Sequence, residues 1–172
     1  MRLPLQHSCS RSGTHFVTGL VLPVLAIQIV IALCVTSACG GNRPALAPFI
    51  AGIVTRSADL TFVTEQDSEV FAFYRNTEVK DLSDDCFLSL IRRPPGVRVV
   101  RIPWQDFFRF RKQTDPAGNW RNLQEYLEAN LINVTVIRVP RDAPYDTQYD
   151  LYAVGIFDGG KVVGVQMFGV GT

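Results

Sequence analysis

Residues 60–74, Leu-Thr-Phe-Val-Thr-Glu-Gln-Asp-Ser-Glu-Val-Phe-Ala-Phe-Tyr, restrict the fold more than any other stretch of the chain. Aromatic and β-branched residues flank a short polar centre, the pattern of two strands, 60–64 and 69–74, joined by a turn and half-buried as an antiparallel pair. Phe62 falls on one side of the first strand, with Thr61 and Val63 on the other. In the second strand Val70, Ala72 and Tyr74 alternate with Phe71 and Phe73. Glu65 then stands on the turn, at the rim of a sheet. A carboxylate held there by rigid strands can act as a recognition group, because binding residues collect on loops carried by a firm scaffold.

The rest of the chain supplies partners for such a sheet. Leu46, Phe49, Ile50, Ile53 and Val54 form an apolar stripe along a helix over 45–55. A second helix is expected over 81–93, with Ser83 as N-cap, Asp84 and Asp85 in its first turn, Arg92 and Arg93 in its last, and Pro94-Pro95 as the stop. Residues 97–102 read as a strand. Pro103 opens a helix over 103–112 on which Trp104, Phe107 and Phe108 share a face. Helix-spaced aromatics of this kind belong to a core, and Arg109, Arg111 and Lys112 answer the helix dipole at its end. Another helix covers 122–130 and can begin as early as Asn119. Three strands follow, over 134–139, 149–157 and 161–170, and Asp158-Gly159-Gly160 between the last two is a hairpin signal. Helices mixed with a largely antiparallel sheet predict a compact α+β sandwich.

The first 38 residues are of another kind. Arg2 and Arg11 are the only charges before Arg43, and residues 16–35 are an almost unbroken apolar run, followed by Thr36-Ser37-Ala38. A basic start, an apolar core and small residues make a secretory signal pattern, so 1–38 is expected to be a signal peptide or a membrane-anchoring apolar leader helix. Ser37-Ala38-Cys39-Gly40 also resembles the bacterial lipobox, which would make Cys39 the lipidated N-terminus. Residues 39–44 are a spacer and 45–172 the domain. The expected location is outside the cytoplasm, with the membrane reached through the leader or through lipid on Cys39.

Removing the leader removes both histidines, His7 and His15, and with them the commonest general base and metal ligand. The remainder keeps all 16 acidic residues and loses only two of the 17 basic ones, a balance without the clustered positive charge that nonspecific nucleic-acid binding needs. There is no Gly-x-Ser-x-Gly elbow, no phosphate loop and no Cys-x-x-Cys. The adjacent acids Asp84 and Asp85 suit a helix dipole better than acid–base chemistry. These features favour a binding module over an enzyme, with no cofactor and no resident metal; a metal-using carboxylate hydrolase is the weakest of the alternatives.

An ordered set of short segments carries a resemblance. Leu60-Thr-Phe-Val-Thr-Glu65 with Glu69-Val-Phe71, then Trp104-Gln-Asp-Phe-Phe-Arg109, Asp115-Pro116, Trp120, Glu128-Ala-Asn-Leu131, Val136-Ile-Arg-Val139 and the strand over 149–155 together resemble the nuclease A inhibitor-like family. The resemblance spans residues 45–172. It implies an α-β-α sandwich that blocks the active site of a metal-dependent, sugar-nonspecific nuclease. Glu65 would match the glutamate whose carboxylate approaches the nuclease's catalytic metal. Thr172 would match a C-terminal threonine that offers a second acidic contact, and Trp120 a tryptophan that packs against the enzyme. The alternative is an envelope-tethered interaction or structural lipoprotein of the same fold without inhibitory activity.

Overall fold

A computed structural model describes residues 44–141 and 146–171 of the chain. The expected leader helix over 1–38, the lipidation point Cys39 and the terminal Thr172 lie outside the described residues. The element order is α1 (Leu46–Ser57), β1 (Thr61–Phe62), β2 (Ser68–Glu69), β3 (Phe71–Arg75), α2 (Asp84–Leu90), β4 (Val100–Ile102), α3 (Trp104–Gln113), α4 (Asn119–Asn130), β5 (Ile132–Pro140), β6 (Gln148–Phe157) and β7 (Lys161–Val170).

The last hairpin organises the sheet. Gly159 and Gly160 adopt φ of 71° and 78°, left-handed values that glycine reaches without a Cβ penalty, and they close a single turn over Asp158–Gly160. From there β6 and β7 run antiparallel, in continuous register from Phe157↔Lys161 to Gln148↔Val170. Five strands assemble in the order β3-β7-β6-β5-β4, every neighbouring pair antiparallel.

Strand alternation divides the core into two halves. Val136, Leu151, Ala153, Val163, Val165 and Met167 face α1, α3 and α4. Phe73, Ile137, Tyr152, Val154, Ile156 and Val162 face α2 with Val79 and Leu82. This is the three-layer α-β-α arrangement, and the α+β class is as expected. In the first layer Phe49 of α1 stacks on Phe157 at 4.7 Å and tilts against Tyr126 of α4 at 5.3 Å. In the other layer Phe73, Phe87 and Tyr152 meet with centroids 5.1–6.3 Å apart.

Several sequence expectations need correction. The strand expected over 69–74 is two strands, because β2 pairs with β1 (Thr61↔Glu69, Phe62↔Ser68) whereas β3 changes partner and pairs with β7. The helix expected over 81–93 is shorter. At its start the Asp81 carboxylate accepts the Ser83 N–H at 2.8 Å and holds 81–83 as a turn; at its end Arg92 takes φ 59° and the Arg93 N–H closes on the Leu88 carbonyl. Val54, counted in the stripe of α1, is exposed. The face turned inward is Phe49, Ile53 and Ser57.

On the α2 face Asp150 is buried and is gripped by Arg141 (Nε 2.9 Å, Nη2 2.5 Å), with Arg93 at 3.5 Å. The adjacent Tyr152 phenol is pushed up to about 12, first by burial and then by the Asp150 charge. Because the fold holds this proton more tightly than the unfolded chain does, the stability it contributes is complete below pH 10 and is lost as pH rises towards 12. Absorbance titration at 295 nm will show a phenol ionising late, towards pH 12. Tyr152→Phe will remove that late step and flatten the loss of stability in the same interval; a late step that persists in the variant assigns it to another tyrosine.

Candidate functional site

The turn between β1 and β2 presents Glu65, Gln66 and Asp67 to solvent, with Glu69 exposed just beyond. Among the described residues no cation or hydrogen-bond donor pairs with the Glu65 carboxylate. The backbone beneath it is fastened at several points. The Thr64 hydroxyl donates to the Gln66 carbonyl at 2.7 Å and accepts the Gln66 N–H at 3.3 Å, while the Glu65 N–H donates to the Val170 carbonyl at 3.3 Å. Val170 in turn donates its N–H to Thr64 Oγ1 at 3.3 Å. Two residues back along β7, the Ser68 hydroxyl donates to the Phe168 carbonyl at 2.6 Å and accepts the Phe168 N–H at 3.2 Å.

The Glu65 turn and the last residues of β7 therefore share one rim. Gly171 is tied there too, its N–H donating to the Thr147 carbonyl at 2.9 Å. Thr172 lies beyond the described residues; its neighbours Val170 and Gly171 run beside Thr64, Glu65 and Thr147.

α3 supports the hairpin from below. Arg111 donates to the Val63 carbonyl at 3.1 Å and stacks its guanidinium over Phe62 at 4.1 Å. Burial lowers its pKa from the ordinary arginine value, though not enough to cost it its charge. As a helix-terminal residue Arg111 reads locally as a dipole partner. Its actual partner is a carbonyl 48 residues away in the chain, a contact that helix periodicity does not signal. Thr64, at the end of the expected strand, and Ser68, on the polar turn, likewise gave no further sign in the sequence.

Trp120, for which the resemblance implies a surface against the partner, is only 4% exposed. Its ring meets Phe107 edge-on at 6.0 Å and Phe108 at 6.2 Å, and its N–H on the backbone is capped by the Asp115 carboxylate at 2.5 Å. Side chains of α3 close over the indole, so in this conformation the ring fills the core rather than facing outward. Phe107 also stacks on Phe62 at 6.3 Å, so Trp120 underpins the hairpin through two aromatic rings.

Asp84 is bonded by Arg101 at 2.7–2.9 Å, and the same guanidinium reaches the Leu82 carbonyl. Among the described residues there is no cluster of three or more metal-ligating side chains, and no helix long and apolar enough to cross a membrane. What the rim offers is a carboxylate unpaired among the described residues, on a backbone fixed beside Val170. No curated protein matches the sequence. Residues 47–172, well over half of the chain, match the family model described as nuclease A inhibitor-like protein, and the chain belongs to that family.

Proposed function

We propose that this protein inhibits a metal-dependent, sugar-nonspecific nuclease by inserting the Glu65 carboxylate into its catalytic cleft, with the carboxylate of Thr172 as a second acidic contact. The observation that carries the reading is the exposed Glu65, unpaired among the described residues, on a turn hydrogen-bonded to β7. A carboxylate is an anionic oxygen ligand for hard cations such as Mg²⁺ and can take the place of a phosphate oxygen. Family membership supports a nuclease as the partner. Trp120 serves by supporting the hairpin from the core.

Titrating the purified chain into a magnesium-dependent, sugar-nonspecific nuclease of the same organism is the test. Stoichiometric loss of DNA cleavage is expected, and undiminished cleavage at micromolar protein would remove the reading for that nuclease.

The leader pattern favours a site of action outside the cytoplasm, with the chain tethered through Cys39. Cys39→Ser should then move the protein from the membrane fraction to the soluble one. If tethering is present but no nuclease is inhibited, the alternative of an envelope-tethered interaction protein gains the ground.

A further inference from the structure

We infer that Thr64 is a positioning residue that couples the Glu65 turn to β7, so that the Glu65 carboxylate is presented on a backbone fixed against that strand. The inference rests on the inhibitor reading above and adds to it the device that aims the contact.

The Thr64 hydroxyl uses the whole of its hydrogen-bonding capacity, one donor and two acceptor positions. It donates to the Gln66 carbonyl and accepts N–H groups from both Gln66 and Val170. Glu65 is thereby bracketed: one hydroxyl closes the backbone around it, and its own N–H is spent on the Val170 carbonyl.

The sheet explains why a side chain is needed there. The ladder between β3 and β7 stops at Phe71↔Gln166. Beyond that point β7 runs on to Val170, and Phe168 and Val170, two residues apart, present backbone groups to the same edge. Hydroxyl side chains answer them: Ser68 bonds both groups of Phe168, and Thr64 bonds the N–H of Val170. The branched Cβ of threonine restricts χ1 and so keeps the hydroxyl aimed.

Fixing a backbone residue costs conformational entropy, and a turn ordered in advance spares the complex that cost. Without the Thr64 hydroxyl the backbone around Glu65 keeps its bond to the Val170 carbonyl and the Ser68 bonds to Phe168, but loses the closure at Gln66 and the second tie to Val170, so part of the ordering of Glu65 falls to the binding step.

The test uses the full chain in mild detergent and a magnesium-dependent, sugar-nonspecific nuclease. Thr64→Val keeps the shape and removes the hydroxyl; Thr64→Ser keeps the hydroxyl. Thr64→Val should raise the inhibition constant about tenfold, in line with a lost hydrogen-bond hub, and Thr64→Ser should restore it to within about twofold. In a Glu65→Gln background the same valine substitution should add less than about twofold, because there is no carboxylate left to aim. In the free protein, Thr64→Val should speed hydrogen exchange at the amides of Gln66 and Val170.

Full inhibition by Thr64→Val, with Glu65→Gln inactive, would overturn the coupling and leave the inhibitor reading standing. An equal effect of Thr64→Val in both backgrounds would show a role independent of Glu65 and would also overturn it. A wild-type chain that inhibits no such nuclease removes both proposals together.

Discussion

Glu65→Gln will leave the thermal transition where it is and weaken nuclease inhibition about a hundredfold or more. The two halves of this expectation come from the same geometry. Among the described residues nothing pairs with the carboxylate, so the fold loses no interaction when its charge is removed, and exposed substitutions of this kind stay within about 0.5 kcal/mol. The glutamine keeps the length of the side chain and the backbone bond to Val170. In the complex the position is different, because an anion placed in a cationic cleft contributes through its charge. Truncating one partner of a buried charge pair at an interface costs about 2–5 kcal/mol, and each 1.4 kcal/mol is tenfold in affinity. Glu65→Asp, which retains the charge but withdraws it by one methylene, will fall between the two. Inhibition constants from DNA cleavage, read beside melting curves, check the expectation. Undiminished inhibition by the glutamine variant would move the contact elsewhere on the rim.

Which parts of this site could be read in the sequence follows from the range of the interactions involved. The Glu65 turn was legible because local composition decides it: aromatic and β-branched runs on either side of a polar centre. The β6–β7 hairpin was legible for the same reason, with Asp158-Gly159-Gly160 fixing its register. The helix over Asn119–Asn130 and the buried triad Trp104, Phe107 and Phe108 followed from periodicity.

The change of partner at Val70 was hidden, since a strand that leaves one neighbour for another keeps the same alternation of side chains. Of the strand expected over 97–102 only Val100–Ile102 pairs, with β5; after Gly96, at φ 82°, Val97 and Val99 instead pack against the α2 layer. The meeting of Glu65 with Val170 is longer in range still: the two are more than a hundred residues apart, and only the completed sheet sets them together. Trp120 is the opposite case: the resemblance implies a tryptophan packed against a partner, whereas the fold buries its ring against Phe107 and Phe108.

The sheet that sets this rim has its own narrow tolerance, and Gly164→Ala will test it. Gly164 lies midway along β7, opposite Val154 of β6 and Phe73 of β3. A Cβ there would stand 2.7 Å from the Cα of Val154 and closer still to the carbonyl oxygen of Ala153. Both are backbone atoms of the central strand, so no side chain can swing away to make room. The strands must separate or slide, and either movement disturbs the two core layers that meet at β6, on which Ala153 and Val154 are fully buried on opposite faces. Overpacking of a tight core costs about 1–3 kcal/mol, and a backbone clash lies at the upper end. For a domain of this size about 3 kcal/mol lowers Tm by roughly 10 °C. The contrast is Gly118→Ala, where the added Cβ meets nothing within 4 Å and the strain comes only from φ of 77°; that variant should lose about 1 kcal/mol. Calorimetry on the pair separates the mechanisms: equal shifts would mean that β6 and β7 can part by the width of a methyl group. The rim would then be free to move as well, because Val170, which receives the Glu65 turn, belongs to the strand that Gly164 holds against β6.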